Sequence, residues 1–222
     1  MEPTRIFETQ DGSHSIFSEK YGVSYHSKYG AIQESQHVFI EAGLYEVALS
    51  KKHIRVLEIG MGTGLNTFMT YLESNQRNFS IYYETVEAFP ITAEEAKQLN
   101  YAQLLNAKEE ETVFQRIHQE DWGKTIQLSP KFTLKKVLDH FEHLNYQKQF
   151  DLIYFDAFAP TAQPELWDKK ILNIMFEALV SGGVWVSYCA KGSVKRQLKA
   201  LGFRIEAIAG PPGKREMTRA IK

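Results

Sequence analysis

The sequence is poor in cysteine and has no long apolar run, and each shortage excludes a class of protein. Its single cysteine, Cys189, cannot form an internal disulfide bond, and its place in the apolar run VWVSYCA is typical of a small buried side chain. No segment approaches the roughly 20 apolar residues of a membrane span, and the charged opening MEPTRIFETQ lacks the apolar stretch of a secretion signal. We therefore expect a cytoplasmic protein without a membrane anchor.

The sequence also lacks internal repeats, low-complexity tracts and linkers that would divide it. Its 222 residues, of which 43% are hydrophobic, are enough to bury one substantial core. We predict a single compact unit in which residues 1–50 form an N-terminal cap of a hairpin and a helix, and residues 51–222 form the main domain.

The charges are unevenly distributed, although the formal net charge is only -1. Residues 191–222 contain nine basic and two acidic side chains, which gives this segment +7 and leaves the remainder at -8. A basic segment of this kind fits a polyanionic partner about as often as an ordinary solvated surface, so it is informative only beside a motif.

Short apolar runs alternate with helical patterns along most of the chain. Asp11 and Gly12 lie between two alternating runs, which predicts a hairpin, and residues 31–50 have a helical pattern. Strands that alternate with helices predict an α/β fold with a doubly wound, mostly parallel sheet. The predicted strands are residues 56–59, 79–87, 132–138, 150–155 and 184–189, followed by an antiparallel pair at 203–210 and 215–222.

Two further segments complete this outline. Thr92 and Glu95 have the spacing of a capping box, which predicts that a helix begins there. Residues 101–130 are polar and weakly periodic, and we interpret them as an irregular connection with short helices.

The segment VLEIGMGTGLN, residues 56–66, leaves a predicted strand through three glycines. Gly60, Gly62 and Gly64 indicate a turn in which a ligand passes close to the main chain. Dinucleotide sites use G-x-G-x-x-G, whereas this segment reads E-x-G-x-G-x-G with Glu58 in front. Because a carboxylate repels phosphate and attracts a cation, the segment favours S-adenosylmethionine, whose sulfonium and amino groups are positive.

Further acids follow the next predicted strands. Glu87, 25 residues after Gly62, is placed to accept the two ribose hydroxyls, and Asp139 to accept the adenine amino group. Ligands bind outside the carboxyl ends of strands in open α/β sheets, where these acids are expected to lie with Glu58. We expect no metal ion in this site.

Asp156 ends a fourth predicted strand and is our candidate for the acceptor side of the reaction. When a methyl group moves from sulfur to an amine, positive charge appears on nitrogen, and a neighbouring carboxylate stabilises that charge. An ordinary aspartate is a weak base for an alkylammonium with a pKa of roughly 10.4. We therefore predict that Asp156 orients the amine while water carries the proton away.

Four segments in one order resemble the methyltransferases of the MnmC type, which complete 5-methylaminomethyl-2-thiouridine at the wobble position of certain tRNAs. The match covers most of the chain, and one departure is Ala157, where the family usually has glycine. The segments are YHSKYGAIQESQHVFI from Tyr25, EIGMGTGLN from Glu58, DAFAPTAQPELW from Asp156, and SGGVWVSYCAKGSVKRQLKALGF followed by GKREM.

The resemblance implies a Rossmann-like, seven-stranded sheet with an antiparallel last strand, and S-adenosylmethionine-dependent methylation of 5-aminomethyl-(2-thio)uridine. It also implies that the basic segment binds the anticodon stem-loop of tRNA while Phe158 or Trp167 stacks on an extruded base. The implied cofactor residues are Glu58, Gly60, Gly62, Asn66, Glu87 and Asp139, with Tyr25 and Glu34 as lid or cofactor contacts. The implied phosphate contacts are Lys191, Lys195, Arg196, Lys214 and Arg215.

Many relatives fuse this domain to a flavin-dependent oxidase, for which 222 residues leave no room. We expect a stand-alone methyltransferase whose aminomethyl substrate is supplied by a separate enzyme. Two alternatives stay open: a transferase on the same scaffold that acts on a small amine, as in aminopropyl transfer, and a non-catalytic tRNA-binding protein. The basic segment disfavours a small diamine, and the intact acids and glycines disfavour a degenerate pocket.

Overall fold

The computed structural model describes residues 4–222, so the first three residues of the predicted cap lie outside the described part. The predicted alternation of strands and helices is confirmed, and the main sheet has the strand order β10-β11-β9-β8-β4-β5-β7-β6. The strands are β1 (Thr4–Glu8), β2 (His14–Ser18), β3 (Val23–Ser24), β4 (His53–Ile59), β5 (Ser80–Glu87), β6 (Thr125–Ser129), β7 (Phe132–Leu138), β8 (Phe150–Phe155), β9 (Leu179–Ser187), β10 (Arg204–Ala209) and β11 (Glu216–Ile221).

Five strands of the main sheet, β9, β8, β4, β5 and β7, run parallel to their neighbours in this series. The prediction of an antiparallel last strand is confirmed, because β11 runs antiparallel to both β9 and β10. The carboxyl ends of the parallel strands therefore meet at one edge, where the predicted site residues are concentrated.

The sheet has eight strands in the described part of the chain, and the prediction of seven is corrected by one. The additional strand, β6, pairs antiparallel with β7 at the edge of the sheet, inside the segment we interpreted as irregular. Its sequence TIQLS alternates polar and apolar residues as a half-buried strand does, with Ile126 partly buried and Leu128 buried, but the polar character of residues 101–130 obscured this signal.

Helices cover both faces of the sheet. The predicted helix over residues 31–50 is present as a continuous helical stretch from Ala31 to Ala48, whose central ten residues are π-helical. The helices are α1 (Ala31–Ser35), a π-helix (Gln36–Tyr45), α2 (Glu46–Ala48), α3 (Leu65–Gln76), α4 (Ala93–Ala96), α5 (Tyr101–Leu104), α6 (Glu111–Gln119), α7 (Lys169–Ala178) and α8 (Gly192–Leu201), with 3-10 turns at Lys108–Glu110, Phe141–His143 and Pro164–Trp167.

The cap is a three-stranded antiparallel sheet in the order β1-β2-β3. The predicted hairpin is confirmed as β1 and β2, with Gly12 in the left-handed region at φ 82°. The Asp11 carboxylate accepts hydrogen bonds from the backbone N–H groups of Ser13 and Gln33, so it joins the hairpin turn to α1. These bonds hold the hairpin and the helix of the cap together.

The predicted helix boundaries follow their local signals. Thr92 accepts a hydrogen bond from the backbone N–H of Glu95, whose carboxylate accepts one from the backbone N–H of Thr92, which confirms the capping box. Gly202 ends α8 at φ 107°. Within residues 4–222, none of the helices combines the length and apolar character that crossing a bilayer requires.

Candidate active site

The glycine turn after β4 forms the floor of the site. Gly60, Gly62 and Gly64 have φ values of 87°, 51° and 74°. These values lie in the left-handed region, where the backbone of a residue with a side chain is strained. A Cβ on Gly60 would stand 2.8 Å from the backbone carbonyl oxygen of Asp156, and one on Gly62 would stand 2.9 Å from the Tyr25 ring. The turn therefore lies directly against both the cap and residues 156–167, which we call the acceptor segment.

A cleft opens over this turn and encloses about 780 Å³, including its mouth. Its size is within the range of small-molecule sites. Its lining contains the carboxylates Glu87, Glu142 and Asp156, and no lysine or arginine from the described residues. The remaining walls are Tyr21, Tyr25 and His26 of the cap, residues 60–63, Ala88, Phe89, His140, Phe141, Ala157, Phe158, Gln163 and Leu166. A cleft with this charge favours a positively charged ligand.

Glu87, at the end of β5, is fixed to the glycine turn. Its Oε2 accepts a hydrogen bond of 3.1 Å from the backbone N–H of Gly62, and its Oε1 accepts one of 2.9 Å from that of Phe89. Each carboxylate oxygen keeps a further lone pair, so the side chain can still accept two hydroxyl groups from the cleft. The structure thus places Glu87 where the sequence predicted it.

Asp156 follows β8 and faces the cleft. Asn66 Nδ2 donates a hydrogen bond of 2.9 Å to Asp156 Oδ2, and this bond orients the carboxylate. Burial raises the pKa of Asp156 well above its ordinary value, and the negative charges of Glu34 and Glu58 raise that pKa further. Asp156 is consequently a stronger base than the ordinary aspartate that we assumed from the sequence.

Glu58 does not line the cleft, so the structure does not bring it into the position that we predicted for a cofactor contact. The side chain is fully buried, and its Oε2 accepts hydrogen bonds of 2.9 Å from Thr67 and 2.7 Å from Thr85. Its Oε1 has no partner among the described residues. Burial therefore raises the pKa of Glu58 to about 7.

Glu58→Gln is expected to stabilise the protein at pH 8 by roughly 3 kcal/mol and far less at pH 5. The folded pKa of about 7 exceeds the ordinary value of 4.5, so the unfolded chain loses its proton first as the pH rises. The wild-type protein therefore loses stability as the pH rises from about 4.5 to about 7, and the loss is complete above that range. The amide has no charge to bury, so its stability lacks this dependence on pH. Urea unfolding of both proteins at pH 5, 6, 7 and 8 measures this. A pH-independent difference would contradict it.

Glu34 and Asp139 also lie outside the lining of the cleft. Glu34 is 6% exposed, forms an ion pair with Lys214, and accepts a hydrogen bond from the backbone N–H of Ser27. Asp139 accepts hydrogen bonds from the backbone N–H of its neighbour and from His143 Nδ1, at 2.7 Å and 2.6 Å. In the same segment Glu142 lines the cleft instead, so the predicted adenine contact of Asp139 is not brought into place.

Aromatic side chains of the cap and the acceptor segment meet at the cleft. The ring of Phe158 lies 5.0 Å from that of Tyr25 and 5.3 Å from that of Tyr21, centroid to centroid. Trp167 is 2% exposed, and its indole N–H donates a hydrogen bond of 2.7 Å to the carbonyl oxygen of Phe158. Trp167 is therefore a core residue that anchors the acceptor segment. Of the two residues predicted to stack on a base, only Phe158 lines the cleft.

Two histidines that contact Thr63 of the glycine turn, the buried His26 and the half-buried His118, could not be recognised from the sequence. His118 Nε2 lies 3.1 Å from the carbonyl oxygen of Thr63, and His26 Nε2 lies 3.5 Å from its hydroxyl group. Burial lowers the pKa of each imidazole to about 4, so both rings stay neutral at pH 7. No local pattern marks them, because His118 is 55 residues away from Thr63 in sequence.

The predicted phosphate contacts are divided by the structure. Lys195 forms an ion pair with Glu216 at 2.9 Å, and Lys214 pairs with Glu34, so both cations already have anionic partners. Lys191 and Arg215 are exposed and line a second, open depression of about 1000 Å³ next to the acceptor segment, and Arg196 is exposed nearby.

The chain matches a known protein family. The sequence model of a family described as S-adenosyl-L-methionine-dependent methyltransferase matches residues 92–222. The chain belongs to this family. The methyltransferase fits the cofactor of its family, because among residues 4–222 its cleft is lined by three carboxylates and by no lysine or arginine, and a Cβ would obstruct its glycine turn.

Two relatives of this methyltransferase carry the same name. It is 30% identical over 210 residues to the tRNA 5-methylaminomethyl-2-thiouridine biosynthesis bifunctional protein MnmC of Idiomarina loihiensis, with 87% of this chain and 34% of that protein covered. The protein of the same name from Aromatoleum aromaticum is 28% identical, with 99% and 35% covered. The methyltransferase thus spans about a third of the length of these curated relatives.

Among solved structures, the methyltransferase is similar to MNMC2 from Aquifex aeolicus. The TM-score is 0.79 at 27% identity, and the alignment covers 99% of this chain and 70% of that chain. The similarity extends over the cap as well as the sheet, so the arrangement of cleft, glycine turn and acceptor segment belongs to the matched region.

Proposed function

We propose that this methyltransferase N-methylates 5-aminomethyl-(2-thio)uridine at the wobble position of tRNA and gives 5-methylaminomethyl-(2-thio)uridine. The observation that carries the proposal is the position of Asp156, a half-buried carboxylate that faces the same cleft as Glu87 and the glycine turn. The names of the relatives that cover nearly the whole chain support the choice of nucleoside.

The residues of the cleft divide the work between two ligands. Glu87 would accept the ribose hydroxyls of the cofactor, and the turn from Gly60 to Gly62 would lie beneath its positive end. When bound, the cofactor supplies an electrophilic methyl group on a sulfonium. Asp156 accepts an N–H hydrogen bond from the incoming amine, which aims the nitrogen lone pair and stabilises the positive charge that develops there.

The fate of the amine proton follows from the environment of Asp156. We predicted from the sequence that water alone carries the proton away, since an ordinary aspartate is a poor base. Burial and two neighbouring negative charges raise the pKa of Asp156, which makes proton transfer from the ammonium to this carboxylate less uphill. In the proposed reaction the amine enters as the free base and its nitrogen accepts the methyl group while Asp156 is ionised. Asp156 then takes a proton from the new ammonium and passes it to water.

The tRNA would lie across the mouth of the cleft and the open depression beside it. Of the five predicted phosphate contacts, Lys191, Arg196 and Arg215 are exposed and would bind anticodon-stem phosphates. Phe158 would stack on the extruded wobble base. The proposed substrate places the enzyme in the cytoplasm, where tRNA is modified. A separate enzymatic step must supply the primary amine before this reaction can occur.

Incubation with S-adenosylmethionine and tRNA that carries 5-aminomethyluridine tests the proposal. We expect the wobble nucleoside to gain one methyl group, measured by mass spectrometry after digestion to nucleosides. Polyamines in a parallel incubation serve as small-amine acceptors. Methylation or alkylation of the polyamine alone would assign the enzyme to the small-amine class, and tRNA binding without any transfer would contradict a catalytic function.

A further inference from the structure

Glu34 and Lys214 form a shielded ion pair where three parts of the chain meet. The side chain of Glu34 is 7% exposed and that of Lys214 is 32% exposed. The second oxygen of Glu34 accepts a hydrogen bond of 2.9 Å from the backbone N–H of Ser27. The pair thus joins the cap, α1 and the loop between β10 and β11, and a charge held there is screened little by solvent.

Lys214 reaches the acceptor segment through Tyr188. Its Nζ lies 3.9 Å from the centre of the Tyr188 ring, and the Tyr188 hydroxyl donates a hydrogen bond of 2.8 Å to the carbonyl oxygen of Ala157. Ala157 directly follows Asp156 in the chain. The ion pair is therefore connected to the acceptor carboxylate by two contacts and one peptide bond.

Four charged or titratable groups face Asp156 from the elements around it. They are Glu34 from α1, Glu58 from β4, Lys214 from the loop before β11, and Tyr188 after β9. The two glutamates raise the pKa of Asp156, whereas the positive charge of Lys214 lowers it. The two partners of the ion pair therefore act on Asp156 in opposite directions.

We propose that Glu34 and Lys214 form a positioning pair that balances the charge around Asp156 and, through Tyr188, holds the acceptor segment that carries this carboxylate. The proposal rests on the proposed function, in which Asp156 receives an amine. It assigns Lys214 to the acceptor site instead of to a tRNA phosphate. It assigns Glu34 to the surroundings of Asp156 instead of to the cofactor.

Opposite effects of the two partners are the signature of this arrangement. Lys214→Met removes the positive charge and leaves Glu34 unpaired, so the pKa of Asp156 should rise. Glu34→Gln keeps the shape of the side chain and the bond from Ser27 but leaves the positive charge of Lys214 unbalanced, so the pKa of Asp156 should fall. The double variant should lie between the two single variants. A pair whose charges did not act on Asp156 would shift the pKa of Asp156 in neither variant.

The titration of Asp156 can be measured without any substrate. Carbon-detected NMR of protein labelled with 13C-aspartate follows each carboxyl group across pH, and the signal absent from Asp156→Asn identifies Asp156. Lys51→Met is the matched control, because Lys51 pairs with Asp151 at the opposite end of the parallel strands, with similar exposures of 42% and 10%. That control should leave the Asp156 titration unchanged.

The expected result is a rise for Lys214→Met, a fall for Glu34→Gln and recovery for Lys214→Arg. Shifts of the same sign in both single variants, or no shift in either, would overturn the proposal. Lys214→Gln replaces the methionine variant if thermal unfolding shows that the latter is not folded. Opposite shifts in a protein that fails to methylate tRNA would refute only the proposed function, whereas methylation without these shifts would refute only the positioning pair.

Discussion

Asp156→Asn is expected to lower kcat/KM for the tRNA substrate by about 10² to 10³-fold and to leave the affinity for S-adenosylmethionine within about twofold of wild type. The amide preserves the size of the side chain and the contact with Asn66, but it cannot carry the negative charge that stabilises the developing ammonium. Because Glu87 and the glycine turn are unchanged, the cofactor side of the cleft keeps its contacts. Single-turnover methylation and calorimetric titration with the cofactor measure the two quantities.

Asp151→Asn is the matched control for this prediction. Asp151 lies on the same strand, β8, but at its other end, where it pairs with Lys51 and accepts a hydrogen bond of 2.8 Å from the backbone N–H of Arg55. The control should reduce stability and leave the activity of the folded fraction unchanged. If Asp156→Asn retains more than a tenth of the wild-type activity, the assignment of Asp156 is wrong.

Gly60→Ala is expected to remove cofactor binding and to lower the free energy of unfolding by about 2 to 4 kcal/mol. At φ 87° an alanine is strained, and its Cβ would stand 2.8 Å from the carbonyl oxygen of Asp156, which is backbone and cannot rotate away. Relief of this contact requires the glycine turn and the acceptor segment to separate, so the cleft opens at its floor. Calorimetric cofactor titration and urea unfolding test both effects.

Gly123→Ala separates strain from contact. Gly123 has a similar φ of 80°, but a Cβ there would meet nothing within 4 Å. This variant should cost only the backbone strain of about 1 to 2 kcal/mol and should bind the cofactor normally. Equal losses in the two variants would show that the close approach of Gly60 to Asp156 has no consequence.

The fold could be predicted to the extent that local chemistry determines it. The Asp11-Gly12 turn, the capping box at Thr92 and the glycines after β4 require specific backbone conformations, and the structure has them. The edge strand β6 was missed because it lies in a polar, weakly periodic segment, although TIQLS itself alternates polar and apolar side chains. The alternation indicates a strand but not its partner, so the pairing with β7 follows only from the folded chain.

The site was harder to predict, because a carboxylate at the end of a strand can bind a ligand only if it reaches the cleft and is not buried beneath it. Glu87 is the last residue of β5 and reaches the cleft, whereas Glu58 precedes the last residue of β4 and is enclosed by α3 through Thr67. Spacing along the chain cannot distinguish these two cases. The pairing of Glu34 with Lys214 joins residues 180 positions apart, so only the folded chain brings that charge to the acceptor segment.

The position of β11 inside the sheet, between β9 and β10, bears on the order in which the enzyme becomes competent. During synthesis β11 emerges after every other described strand, so β9 and β10 have no shared neighbour until it inserts. The loop that carries Lys214 reaches Glu34 at the same stage. Formation of the acceptor pocket is thus coupled to the insertion of β11 between two strands that have already been synthesised.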